Sequence, residues 1–138
     1  MQLHISGTTR LYGLVGDPLS TAKSPQLLNR LFIEQHADAT CIPFWVKGDD
    51  LPAFVGGARA MGNLSGMLVT MPHKERMLAF VDELDSTARQ VGALNVIRCE
   101  ADGRWGIRAR PFLRSRRMRR CQRRRFRNAK RKILFGRR

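Results

Sequence analysis

A short apolar run that stops at a proline constrains this chain most. Met67-Leu68-Val69 predicts a buried strand, and Thr70 is where that strand leaves the core. Pro72, with no N–H and a fixed φ, then opens a turn or the first position of a helix. The residues that follow, Glu75-Arg76-Met77-Leu78-Ala79-Phe80-Val81, favour a helix to about Asp82, with Met77, Leu78 and Val81 spaced for a buried stripe. Lys74 therefore falls at the carboxyl end of a strand, where open α/β sheets gather their ligands. An isolated lysine at such a junction reads as a solvated surface residue; its company elsewhere in the chain points to a chemical role.

The same alternation runs through the first hundred residues. Leu11-Tyr12-Gly13-Leu14-Val15 predicts a first strand, broken by Gly16-Asp17-Pro18-Leu19-Ser20. Ser24-Pro25 predicts a helix start, with Ser24 as N-cap and Leu27, Leu28, Leu31 and Phe32 as the buried face, running to about His36. The loop between them carries Ser20, Thr21 and Ser24 beside Lys23. Hydroxyls at a helix N-terminus make a seat for a carboxylate or phosphate, although capping alone also explains Ser24.

Residues 40–46 predict a second strand, which Pro43 places at an edge or a bulge. Asp49-Asp50 before Leu51, Phe54, Val55 and Ala58 predicts a capped helix weakened by Gly56-Gly57. A short helix is expected from Ser86, as N-cap, to Gly92. Residues 94–99 predict a fourth strand, and Asp102-Gly103 a hairpin turn that needs a partner strand. Strand and helix in alternation specify the α/β class with a mostly parallel sheet.

Charge divides the chain more sharply than its elements do. The formal charge of +15 is a whole-chain figure, yet residues 104–138 hold 17 of the 26 Lys and Arg and no Asp or Glu. Nine basic residues against eleven acidic ones remain in residues 1–103, a charge of −2. Cys41, Cys99 and Cys121 are odd in number, widely spaced and free of CxxC patterns, which indicates neither a disulfide framework nor a metal site. No secretory-type start and no apolar stretch near the ~20 residues of a membrane span is present, so the cytoplasm is the expected compartment and no membrane partner is expected.

Three motifs then converge: Gly16-Asp17-Pro18-Leu19-Ser20-Thr21-Ala22-Lys23-Ser24-Pro25, Val69-Thr70-Met71-Pro72-His73-Lys74-Glu75, and Gly92-Ala93-Leu94-Asn95-Val96. In this order and at this spacing they resemble the substrate-binding N-terminal domain of shikimate dehydrogenases, nearest to a shikimate dehydrogenase-like branch, over about residues 11–105. The resemblance implies reversible reduction of 3-dehydroshikimate to shikimate with NADPH, on the route to aromatic amino acids. It implies that Lys74 is the catalytic lysine, exchanging a proton with the C3 oxygen. A free ammonium is a poor base near neutrality, and the family pairs its lysine with an aspartate. Ser24 matches one of two carboxylate-binding hydroxyl positions; Ala22 occupies the other, where Thr21 or Ser20 can substitute. Thr70 and Asn95 match positions that hydrogen-bond the substrate. Leu68 stands where many members carry asparagine, and Val96 where many carry threonine or alanine.

The resemblance stops after Asp102-Gly103-Arg104-Trp105, where the family goes on to its catalytic aspartate. No GxGxxG-type fingerprint follows a predicted strand, so the NADP-binding domain is expected to be absent and no cofactor to bind this chain well. The expected organisation is a three-layer α/β/α substrate-binding domain over residues 1–105 and a disordered or poorly packed basic tail over residues 106–138. An unpaired strand after Gly103 would leave an exposed sheet edge. Two readings of the tail differ in class. Phe112, Phe126 and Phe135 among arginines fit a polyanion-binding or nucleic-acid-binding extension. A shifted reading frame in a GC-rich gene fits as well: read one base later, codons for Ala109-Arg110-Pro111 can encode His-Asp, and those for residues 114–119 can encode Gly-Val-Ala-Gly-Cys. The second is the preferred reading, which makes the chain a catalytically incomplete relative.

Overall fold

The computed structural model describes residues 4–107. Five strands form one sheet in the order β2-β1-β3-β4-β5. They are β1 (Arg10–Gly16), β2 (Ala39–Trp45), β3 (Leu64–Val69), β4 (Val96–Cys99) and β5 (Trp105–Gly106). Helices α1 (Ser24–Glu34) and α2 (Leu51–Arg59) connect the first three strands; α3 (His73–Arg76) and α4 (Ser86–Val91) lie between β3 and β4.

Alternate side chains of β1 face opposite sides of the sheet, as the two-residue period of a strand requires. Leu11 and Val15 join Leu51, Val55 and Ala58 of α2 in the main core, with Met67 and Val69 of β3. Tyr12 packs with Phe32 and Leu28 of α1 on the other face, over Ala39 and Cys41. The two crossovers thus cover opposite faces, giving the three layers. The parallel pairings expected from the alternation are confined to β2-β1-β3, and β4 and β5 add antiparallel strands, so the sheet is mixed. Gly92, at φ 69°, reverses the chain after α4 at the C-terminal end of β3, and β4 consequently enters the sheet from that end.

Several local expectations shift. Ser24 is the first helical residue of α1, and Lys23 stands at the N-cap without a side-chain bond. At α4 the cap is Asp85, whose Oδ1 accepts the Ala88 N–H at 2.7 Å, rather than Ser86. Leu27 and Leu31 are exposed, at 64% and 37%, because α1 is rotated to bring Asn29 onto β2. Asn29 Oδ1 accepts the Cys41 N–H at 2.7 Å and its Nδ2 donates to the Cys41 carbonyl at 2.9 Å. That amide, with Pro43 two residues on and the Ala39 N–H bonded to Ala37 at 2.9 Å, closes the outer edge of β2. The predicted long helix after Pro72 is one α-turn followed by a 3-10 turn at Met77–Phe80. Met77 is fully buried there, and Leu78, Phe80 and Val81 all pack on the main core, so packing rather than propensity sets the winding.

The exposed edge expected after Gly103 is not found. Gly103, at φ 82°, closes a hairpin in which the Glu100 N–H donates to Arg104 O at 2.9 Å, and β5 follows as its partner strand. The chain at Asp82-Glu83 lies along β5, with both N–H groups on Trp105 O and the Ile107 N–H on Glu83 O. Gly106 and Ile107 therefore belong to the folded unit. Arg59 of α2 ties this corner together, donating to Gly103 O at 2.9 Å, Phe80 O at 2.7 Å and Asp82 Oδ2 at 3.0 Å while its guanidinium stacks 4.7 Å over Trp105. The Trp105 N–H bonded to Asp82, and then Arg59, hold that carboxyl below the usual carboxylate range. Among the described residues no helix is long and apolar enough to cross a membrane. The basic tail expected beyond residue 107 lies outside the described residues.

Candidate functional site

The C-terminal ends of β1 and β3 lie side by side, and the two connections that leave them are stitched together. The Thr70 N–H donates to Val15 O at 2.9 Å, and the Asp17 N–H donates to Met71 O at 3.1 Å. Gly16 is required at this approach: a Cβ there would run into the methyl of Thr70 and lie 2.8 Å from Leu19 Cδ2. On the other side of β3 the Val69 N–H donates to Asn95 O at 2.9 Å, and the Leu94 N–H to Lys74 O at 3.0 Å. The His73 N–H closes the turn on Thr70 O at 3.0 Å.

Thr70, Lys74 and Asn95 are thereby gathered into one cluster whose positions are set by backbone bonds. Ser24 and Thr21 sit on the adjoining β1–α1 connection, where the Ala22 N–H donates to Leu19 O at 3.0 Å. Among the described residues no hydrogen bond links Ser24 or Thr21 to the other three. What the five share is a negative property: their side-chain polar groups have no protein partner among the described residues, although Ser24, Thr70 and Lys74 are half-buried. Two hydroxyls, a third on Thr21, an amide and an ammonium supply donors for a carboxylate, and donors and acceptors for ring hydroxyls.

The charged groups of the hairpin corner behave differently. The pocket beside the hairpin, lined by Glu83, Arg98, Glu100, Arg104, Trp105 and Gly106, has its charges paired internally. Arg98 meets Glu100 at 2.9 Å, and Arg104 meets Glu83 at 3.2 Å and Asp102 at 2.8 Å. It presents no unmatched charge to a ligand.

Two features of the site region were not read from the sequence. The imidazole of His73 is fully buried, with Nε2 2.6 Å from Val46 O. Trp45, exposed at the end of β2, donates its indole N–H to Asp17 Oδ1 at 2.5 Å, tying β2 to the β1–α1 connection. Neither bond leaves a local pattern, since its partners lie 27 and 28 residues apart.

A family profile described as the shikimate dehydrogenase substrate binding domain matches residues 14–97. The shikimate dehydrogenase (NADP(+)) of Rubrobacter xylanophilus is 46% identical over 99 residues, covering 72% of this chain and 34% of that protein. That of an Anaeromyxobacter species is 42% identical over 94 residues, covering 68% and 33%. Among solved structures, shikimate 5-dehydrogenase from Listeria monocytogenes, in complex with shikimate and NAD, superposes with a TM-score of 0.71 at 34% identity, covering 77% of this chain and 36% of that one. The chain spans about a third of the length of the relatives it matches.

Proposed function

The chain belongs to the shikimate dehydrogenase substrate-binding domain family, and from that membership we propose that it binds shikimate or a close hydroxylated cyclohexene carboxylate at the C-terminal end of β1 and β3. The observation that carries this reading is that Ser24, Thr70 and Lys74, half-buried, and Asn95 keep their side-chain polar groups without a partner among the described residues, at the shared C-terminal end of β1 and β3. Ser24, with Thr21, receives the carboxylate at the start of α1. Thr70 and Asn95 orient the ring hydroxyls. Lys74 faces the C3 oxygen, placed to exchange a proton with it; the hydride that would convert carbonyl to hydroxyl has no source in the described residues.

NADP is the cofactor named for the relatives. The described residues do not fit it: the β1–α1 connection, the natural strand-to-helix seat for a pyrophosphate, offers the single glycine Gly16, and Thr70 and Leu19 already fill the space above it. The chemistry assigned to this chain accordingly stops at binding and proton exchange, and its working place is the cytoplasm. Residues up to Ile107 are the substrate-binding part; the basic tail after them is derived from a shifted reading frame, rather than an evolved polyanion-binding module. DNA downstream that encodes an aspartate motif and a GxGxxG domain in another frame supports this, and sequence-selective nucleic-acid affinity at physiological salt overturns it.

Calorimetry with shikimate tests the site. The chain is expected to bind one equivalent, with Lys74→Ala and Ser24→Ala each weakening affinity by about ten-fold, the size of a lost charge-assisted hydrogen bond. No heat with shikimate or quinate at millimolar concentration refutes the assignment.

A further inference from the structure

The proton-exchanging lysine proposed above sits on an element that cannot hold itself in place. The α-turn of α3 has four residues, far below the length at which a helix sustains its own hydrogen bonds. Besides the His73 N–H on Thr70 O, three attachments set its orientation. Lys74 O accepts from Leu94 N–H on one side, and Met77 is sunk in the core below. The third is His73, whose side chain has no exposed surface and whose Nε2 reaches Val46 O at 2.6 Å.

A carbonyl can only accept, so the nitrogen facing Val46 carries the hydrogen and His73 donates. Nδ1 has no partner, which leaves this bond as the ring's single directional contact among the described residues. Val46 is itself fixed, since its N–H donates to Gly16 O at 3.2 Å at the end of β1. The bond thus closes a loop from β1 through β2 to the turn and back through Thr70 to Val15. Adjacent residues on such a short turn cannot rotate independently: His73 is anchored inward with no exposed surface, while its neighbour Lys74 is only half-buried.

We propose that His73 is the positioning residue for Lys74, acting through its donated hydrogen bond to Val46 and not through its bulk. The proposal rests on the reading of Lys74 as the proton-exchanging group. A phenyl ring fills the site without donating, whereas a glutamine amide can donate from nearly the same point as Nε2.

The test uses the full chain with its lysine amines carrying ¹³C-methyl labels, the Lys74 signal being assigned by its loss in Lys74→Arg. In the unaltered chain that signal is expected to stand apart from free lysine. In His73→Phe it should move to the free-lysine position, and in His73→Gln stay near the original one. Shikimate affinity should fall about five-fold or more in His73→Phe, the equivalent of one hydrogen bond, and recover to within about two-fold in His73→Gln. His73→Met replaces the phenyl variant if that one does not fold.

A Lys74 signal that is already free in the unaltered chain, or that is unchanged in the non-donor variants, overturns the proposal. So does folding in His73→Gln alone, which would make the bond a support of the whole domain. If the chain binds no shikimate but the signals behave as expected, the functional reading fails while His73 keeps its role.

Discussion

The site end of the sheet and the hairpin corner are held by different kinds of bond. Around Thr70, Lys74 and Asn95 the fold is built mostly from main-chain hydrogen bonds, with the side chains of His73 and Trp45 as ties, and the side chains of Thr70, Lys74 and Asn95 themselves have no partner among the described residues. At the corner made by residues 80–83 and 100–105, charged side chains join the main-chain bonds in the holding: Arg59, Asp82, Arg104, Asp102 and Glu83 bond to one another or to backbone. A ligand site needs positioned groups with unused hydrogen-bonding capacity, and a backbone-built frame supplies both at once. A corner that enlists its charged side chains uses that capacity up.

Truncation should expose this contrast most strongly where packing is involved. Met77→Ala, below the site turn, is expected to cost about 2–5 kcal/mol in urea unfolding, since a fully buried side chain leaves a cavity. A loss under ~1 kcal/mol would mean that the turn is not anchored in the core. Arg59→Ala should cost about 1–3 kcal/mol by losing hydrogen bonds and the stack on Trp105, without altering shikimate affinity. If affinity drops as much as stability, the two regions are coupled and the contrast fails.

Acid sharpens it further. The Asp82 carboxyl is held below its ordinary value, by Trp105 first and Arg59 next, so its contribution is present above the unfolded carboxylate pKa, ~3.9, and is lost as pH falls through the folded value. Asp82→Asn should therefore flatten the stability profile below about pH 4. A profile as steep as that of the unaltered chain would place the acid sensitivity elsewhere. Smallest is the expected effect of Ser24→Ala and Asn95→Ala on stability, under ~0.5 kcal/mol each, because neither side chain has a partner among the described residues. A larger loss in thermal unfolding would show that these groups serve the fold.

What was legible in the sequence follows the same division. Strand periodicity, Pro43 at an edge, Gly92 at a helix end and Gly103 in a hairpin are local signals, and each is found where its local physics put it. The start of α1 and the cap of α4 missed by one residue because Ser24 and Ser86 stand beside positions that the helices used differently. The face of α1 was misjudged, with Leu27 and Leu31 taken as buried, since its rotation is decided by Asn29 reaching Cys41, twelve residues away. Arg59 and His73 were unreadable for the same reason: a side chain bonded to a distant carbonyl leaves no pattern in its own neighbourhood. The site residues were legible as ordered motifs. Their lack of partners became visible only with the fold.

The amide of Asn29 on Cys41 has a use beyond finishing an edge. It imitates one peptide unit of a sixth strand, donating and accepting where a neighbouring chain would. With Asn29→Ala and Pro43→Val together, the edge beyond Ala39, whose N–H stays on Ala37 O, would present free main-chain donors and acceptors at Cys41 and position 43. Such a variant is a receptor for an extended peptide: a tag of alternating apolar residues could be captured along β2, at the opposite side of the sheet from the hairpin.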